Sequence, residues 1–186
     1  MFNIRNNSPQ LLLNLIYDNF EYFVSPSKSI LFIGVRKNCE EEMMSKFLKQ
    51  KGHSRKIICV DIFKQNCFTV KNSFDKWGPI CADIRCLPFR DKSFDISVWN
   101  HGPEHLFEPE IPDAIKELER IAKEIVFLGT PKGNFKQGAL YGNQWEEHKS
   151  HLEPEFFQKL GYTTHIGGYN YEHLRHILAY KILGKE

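Results

Sequence analysis

Residues 80–106 read ICADIRCLPFRDKSFDISVWNHGPEHL. An apolar run over 79–83 predicts a buried strand, and the run over 94–100 predicts a second strand followed by the start of a helix. Between them Leu87, Pro88 and Phe89 form an apolar plug in a polar loop, and Arg90-Asp91-Lys92-Ser93 supplies the turn back to the sheet. Two carboxylates sit at strand edges, Asp83 where the first strand ends and Asp95 where the second begins. Open α/β sheets bind ligands at loops leaving the carboxyl ends of their strands. Asp83 and Asn100 are therefore candidate site residues, and Asp95 is read as fixing a turn.

Upstream, residues 29–34 (SILFIG) and 56–62 (KIICVDI) are two more apolar runs of strand length, the second carrying Asp61 near its carboxyl end. Ser8-Pro9 caps an expected helix over 8–24, whose apolar face recurs at three- and four-residue intervals. Such a face is core packing or a lid over a site. Asn38 and Glu41 form a capping-box pattern for a helix that ends at Gly52. Residues 63–78 show no clear period and are expected as a short helix or loop. Downstream, a helix over 112–123 with Ile115, Leu118 and Ile121 on one side precedes a strand over 124–129. A glycine- and aromatic-rich loop over 130–150, a short helix over 154–160 and strands over 162–166 and 176–182 complete the chain. Alternating strands and helices predict a single α/β domain over 1–186, with 1–28 as a helical extension. The expected architecture is a Rossmann-like, doubly wound, mostly parallel seven-stranded sheet with helices on both faces.

The chain has 186 residues, enough for one domain with a real core, and 41% are hydrophobic against 26% charged. A formal charge of +2 with scattered basic residues gives no electrostatic case for a nucleic-acid or acidic-membrane partner. No apolar run reaches membrane-spanning length. Five cysteines without a CxxC pair fit a reducing compartment, so the cytoplasm is expected and zinc is not. Cys59 and Cys81, inside apolar runs, read as small buried hydrophobes.

The run Asp83-Ile84-Arg85-Cys86-Leu87-Pro88-Phe89, followed by Ser93-Phe94-Asp95-Ile96, resembles the signature of class I S-adenosylmethionine-dependent methyltransferases, in particular the type 11 group. The resemblance extends more weakly over residues 30–182. It implies S-adenosylmethionine as cofactor and methyl transfer as the reaction. It assigns Asp83 to the adenine amino group, Ile84 to the flank of the adenine ring, and Asn100 to the strand end lining the cofactor and substrate cleft. The family's glycine-rich loop, acidic-x-Gly-x-Gly-x-Gly, corresponds to residues 32–38, where only Gly34 is kept. Phe32 replaces the acidic residue, and Arg36 and Asn38 replace two glycines. Glycine permits close backbone approach and positive φ, which Asn tolerates and Arg does not.

Asp61, with Ile62 beside it, is the candidate for the ribose hydroxyls, since a strand-end carboxylate can accept both; the bland alternative is a turn cap. Glu40, Glu41 and Glu42 crowd a helix start, which repels a pyrophosphate but is compatible with a sulfonium and an ammonium. His101, directly after a strand end, is the candidate general base. His105 matches a frequent Glu-His pair of the family that packs more often than it reacts. His148 and His151 could share a metal with Glu146 or Glu147, but no further ligand can be assigned. They are read as exposed loop histidines, and no metal site is expected. Tyr141, Trp145 and Tyr169 either wall an acceptor pocket or pack. The expected partner is a small-molecule methyl acceptor. The rival expectation is a non-catalytic binding or partner subunit that keeps the fold with a degenerate cofactor loop.

Overall fold

The computed structural model describes residues 25, 27–35, 46, 49, 52, 57–73, 77–168 and 175–184. The expected helix over 8–24, most of the helix opening at Asn38, the Arg36 turn and Tyr169 lie outside them. Lys46 and Lys49 are helical, and Gly52 beyond them has φ +72°, the left-handed geometry of a helix end.

Seven strands form one sheet: β1 (Ile30–Ile33), β2 (Ile57–Asp61), β3 (Trp77–Cys81), β4 (Phe94–Asn100), β5 (Ala122–Pro131), β6 (Thr163–Gly168) and β7 (Arg175–Ile182). Their spatial order is β3-β2-β1-β4-β5-β7-β6. The first five are parallel; β7 runs antiparallel to both β5 and β6. Among the described residues the fully traced α-helices are α1 (Lys64–Ser73), α2 (Ile111–Ile121) and α3 (Pro154–Lys159). From β2 the chain steps outward to β3 through α1, and from β4 it steps the other way to β5 through α2. Right-handed crossovers in opposite directions put those two helices on opposite faces.

Burial follows from this arrangement. All four residues of β1 are buried, as are the last seven of β5, which is why both read as unbroken apolar runs. Ile111, Ala114, Ile115, Leu118 and Ile121 give α2 a single apolar stripe that joins Leu31, Ile33, Val126 and Leu128 in the core. Pro79 is accommodated because β3 is an edge strand.

Several expectations need correction. Residues 64–73 form the helix, one of the two alternatives over 63–78, but β3 starts at Trp77, where it pairs with Ile57, and ends at Cys81 and not at Asp83. Asp83 therefore stands two residues beyond the strand. Cys81 is exposed on that edge strand, whereas Cys59 is buried. After β4 the chain makes only a 3-10 turn at Pro103–His105. In the plug Leu87 is buried and Phe89 half-buried, while Pro88 is exposed. Leu87 and Phe89 are held from α2: Arg120 donates to the carbonyls of both, and Leu87 N donates to Glu117. Asp95 accepts the Ser29 backbone N–H and hydroxyl, each at 2.7 Å, and thereby ties the start of β4 to the start of β1.

Candidate functional site

The strand order reverses between β1 and β4, and beyond their carboxyl ends lies a cleft of about 500 Å³. Gly34, Asp61, Ile62, Asp83, Ile84, Asn100 and His101, all flagged from sequence, line it. Sequence reasoning missed other lining residues, notably Arg85, Trp99, Glu104, Phe135, Gln137 and His176. Of the three aromatics offered as an acceptor wall, Trp145 lines the cleft and Tyr141 stands 93% exposed in a turn.

On the β1 side, Gly34 turns the chain at φ +73° with open space where a side chain would stand. Phe32, in the position of the family's acidic residue, does not line the cleft; it is buried with its ring 5.3 Å from Trp77. Asp61 is buried at the end of β2, accepting Val35 N–H at 3.0 Å, Phe63 N–H at 2.7 Å and the Asn66 amide at 3.2 Å. Burial outweighs those hydrogen bonds and pushes its carboxyl up to about 6. An ionised carboxylate offers about four acceptor positions, so three donors leave capacity for a further one.

Asp83 meets the cleft from the loop after β3. Its carboxylate is held by Arg85, through Nε at 3.0 Å and Nη2 at 2.6 Å, and Arg85 also bridges to Glu110. The guanidinium holds the Asp83 carboxyl below the usual range. Any adenine amino group would share this carboxylate with Arg85.

The β4 end depends on two glycines. A Cβ at Gly129, opposite Asn100 in the sheet, would lie 1.8 Å from Asn100 Oδ1, and one at Gly102 would lie 1.7 Å from Trp99 Nε1. Both cleft side chains occupy space that only glycine leaves. His101 has φ +49°, uncommon for a non-glycine residue, and donates its N–H to Gly129 O at 2.9 Å.

Below His101 is a knot of titratable groups. Glu104 is 2% exposed, with His101 Nδ1 3.3 Å and His148 Nε2 4.0 Å from its Oε1. Burial alone would push its carboxyl up, yet the pull of His101 and His105 holds it at about 2. Burial, reinforced by the charge of His101, lowers His176 to about 4, and burial also lowers His148. The expectation of exposed loop histidines fails for His148, whose side chain is 4% exposed, and holds for His151. His148 is brought in because Lys149 and Ser150 donate their backbone N–H groups to Glu104 O, folding the long loop after β5 onto the Pro103–His105 turn.

Comparison with known proteins gives a partial match to the family model of the same group and a likeness of fold. Residues 39–127, just under half of the chain, match the methyltransferase-domain family model of the type 11 group. That match begins after β1 and its turn. No curated protein matches by sequence. Among solved structures, a SAM-dependent methyltransferase from Aquifex aeolicus superposes with a TM-score of 0.64 at 14% identity, covering 95% of this chain and 89% of its own. One from Methanosarcina mazei gives 0.66 at 14%, covering 87% and 94%. The magnesium protoporphyrin IX methyltransferase of Synechocystis PCC 6803, with bound SAH, gives 0.65 at 12%, covering 94% and 81%. At these identities the likeness is one of fold.

Proposed function

We propose that this chain is a class I S-adenosylmethionine-dependent methyltransferase whose cleft binds that cofactor and presents it to a small-molecule acceptor; the family match over residues 39–127 and the fold support this reading. One observation carries the assignment of residues. Seven positions chosen for their strand-end placement or their match to the signature all line a single cleft at the switch point of the sheet.

The donor set suits the cofactor. Asp61, Asp83, Glu104 and Glu146 give the cleft a carboxylate lining that favours a ligand bearing a sulfonium and an ammonium. When bound, S-adenosylmethionine supplies the activated methyl carbon, and the protein's task is largely orientation. Asp61, with Ile62 beside it, accepts a ribose hydroxyl at the one acceptor position its three protein donors leave. Asp83 accepts the adenine amino group alongside Arg85, and buried Ile84 flanks the ring. Gly34 lets the backbone after β1 approach the ligand. Asn100 and His101 form the acceptor side. His101 takes a proton when the acceptor must lose one, with Glu104 orienting its Nδ1 edge and stabilising the imidazolium. A cleft of about 500 Å³ walled by Phe135, Gln137 and Trp145 supports a small acceptor.

Phe32 in the core and a family match that starts only at residue 39 favour the alternative, a fold retained without cofactor binding. Calorimetric titration of the full chain with S-adenosylhomocysteine decides between them. Saturable binding that weakens at least tenfold in Asp83→Ala supports the proposal; no heat at millimolar ligand in the folded wild type refutes it.

A further inference from the structure

We propose that Glu104, His105 and His148 form a binding site for a divalent transition-metal ion of the zinc class, on the wall of the cleft. The ligand-type atoms of these three residues lie within 4.8 Å of one another. Two ligands each about 2.1 Å from a common metal stand roughly 3–4 Å apart, so a contraction of about 1–2 Å at most closes the site.

The hydrogen bonds decide which atoms face inward. His105 Nδ1 lies 3.1 Å from Glu147 O, and His148 Nδ1 lies 2.6 Å from Phe135 O. A carbonyl oxygen only accepts, so both Nδ1 atoms carry the proton and both Nε2 atoms are left with a lone pair. This is the outer-shell arrangement that orients metal-ligating histidines: the far nitrogen bonded to a backbone carbonyl, the near one bare. Facing them is a carboxylate buried to 2% exposure, whose Oε1 has His101 Nδ1 at 3.3 Å as its ion-pair neighbour and whose Oε2 makes no hydrogen bond among the described residues. Two imidazole lone pairs and a buried carboxylate with one oxygen unpartnered meet around one point, and a cation between them satisfies all three.

The surroundings hold the arrangement rigid. The backbone bonds from Lys149 and Ser150 to Glu104 O clamp the two segments, and the His105 and His148 rings lie 5.0 Å apart, edge to face. Two imidazoles and one carboxylate make a nitrogen–oxygen set that suits zinc and its first-row neighbours better than magnesium or calcium. With three protein ligands, the remaining position opens on the cleft to water or to an oxygen of the acceptor. Because Glu104 has two carboxylate oxygens, holding the ion does not require it to release His101. The site stands whether or not the cleft binds S-adenosylmethionine.

The test uses the untagged full chain, stripped with EDTA, dialysed and titrated with zinc chloride by calorimetry. One saturable site per chain is expected, with affinity falling at least a hundredfold in His148→Ala and in Glu104→Gln and unchanged in His151→Ala. Zinc raises the melting temperature of the wild type and of His151→Ala but not of the other two, which also separates lost ligation from lost folding. Absence of a saturable site, the result expected if a shared proton alone satisfies these groups, overturns the proposal. So does wild-type affinity in both ligand variants. A parallel titration of the same stripped protein with S-adenosylhomocysteine reports the cofactor reading separately.

Discussion

On the proposed reading Asp61 couples fold, cofactor and pH, and replacing it with Asn separates the three. Burial raises its carboxyl from the ordinary 3.8 to about 6. At 1.36 kcal/mol per pH unit this means that keeping the group ionised costs the folded state about 3 kcal/mol. Between pH 3.8 and about 6 the native protein holds more protons on this group than the unfolded chain does. Stability therefore rises as pH falls through that window, and the penalty is fully present above it. In Asp61→Asn the charge is gone, but one oxygen must serve where two accepted Val35 N–H, Phe63 N–H and the Asn66 amide. A backbone N–H left unpaired costs about 1–3 kcal/mol, which largely offsets the relief. The variant should match the wild type closely at pH 7 and lose the acid-side gain. Urea denaturation from pH 7 to pH 4 should show the wild type gaining about 2 kcal/mol relative to the variant. A ribose hydroxyl donates to the ionised form, so at pH 6 S-adenosylhomocysteine binding should release about half a proton. The observed heat then depends on the ionisation enthalpy of the buffer. Asp61→Asn should bind roughly 10- to 100-fold more weakly and release no proton. Parallel stability curves, or heat independent of buffer at pH 6, would refute the reasoning.

Gly129→Ala should destabilise by about 1–3 kcal/mol in denaturant melts, because its Cβ overlaps Asn100 Oδ1. In an Asn100→Ala background the same change should cost much less, and equal costs in the two backgrounds would exclude this steric account. Asp95→Ala tests the tie between β4 and β1. Although burial opposes it, bonding to Ser29 and Lys123 holds the Asp95 carboxyl down at about 2, so it contributes about 2 kcal/mol above pH 4 that is lost as pH falls toward 2. Melts at pH 7 should show that loss in the variant, and the difference from wild type should shrink with acidification.

The strands were legible because parallel strands buried on both faces leave unbroken apolar runs, as in residues 30–33 and 125–131. Asp61 and Asn100 followed, since a strand end in such a sheet is already an address. Legibility weakened where local pattern and tertiary pairing part company. α1 buries only Cys67 and Val70, too little for a helical period to show, and the start of β3 is set by Trp77 pairing with Ile57 across the sheet. Asp83 was misplaced by two residues for that reason, and its engagement by Arg85 was not foreseen. The histidines show the deeper limit. The sequence offers His148 and His151 as neighbours, and the fold separates them, burying the first and exposing the second.

What joins His148 to Glu104 is a pair of backbone hydrogen bonds across more than forty residues of chain, from Lys149 and Ser150 to a carbonyl in a 3-10 turn. Backbone bonds of that kind carry no residue-type signature, because any non-proline residue could donate them. Chemistry assembled on strand ends can therefore be read from one segment at a time. Chemistry assembled by loop closure becomes visible only when both segments are in place, and in this chain the wall proposed to face the acceptor is of the second kind. The two halves of the site should thus separate under mutation: changes at Asp61 or Asp83 act on nucleoside affinity, and changes at His148 act on the acceptor wall and its ion.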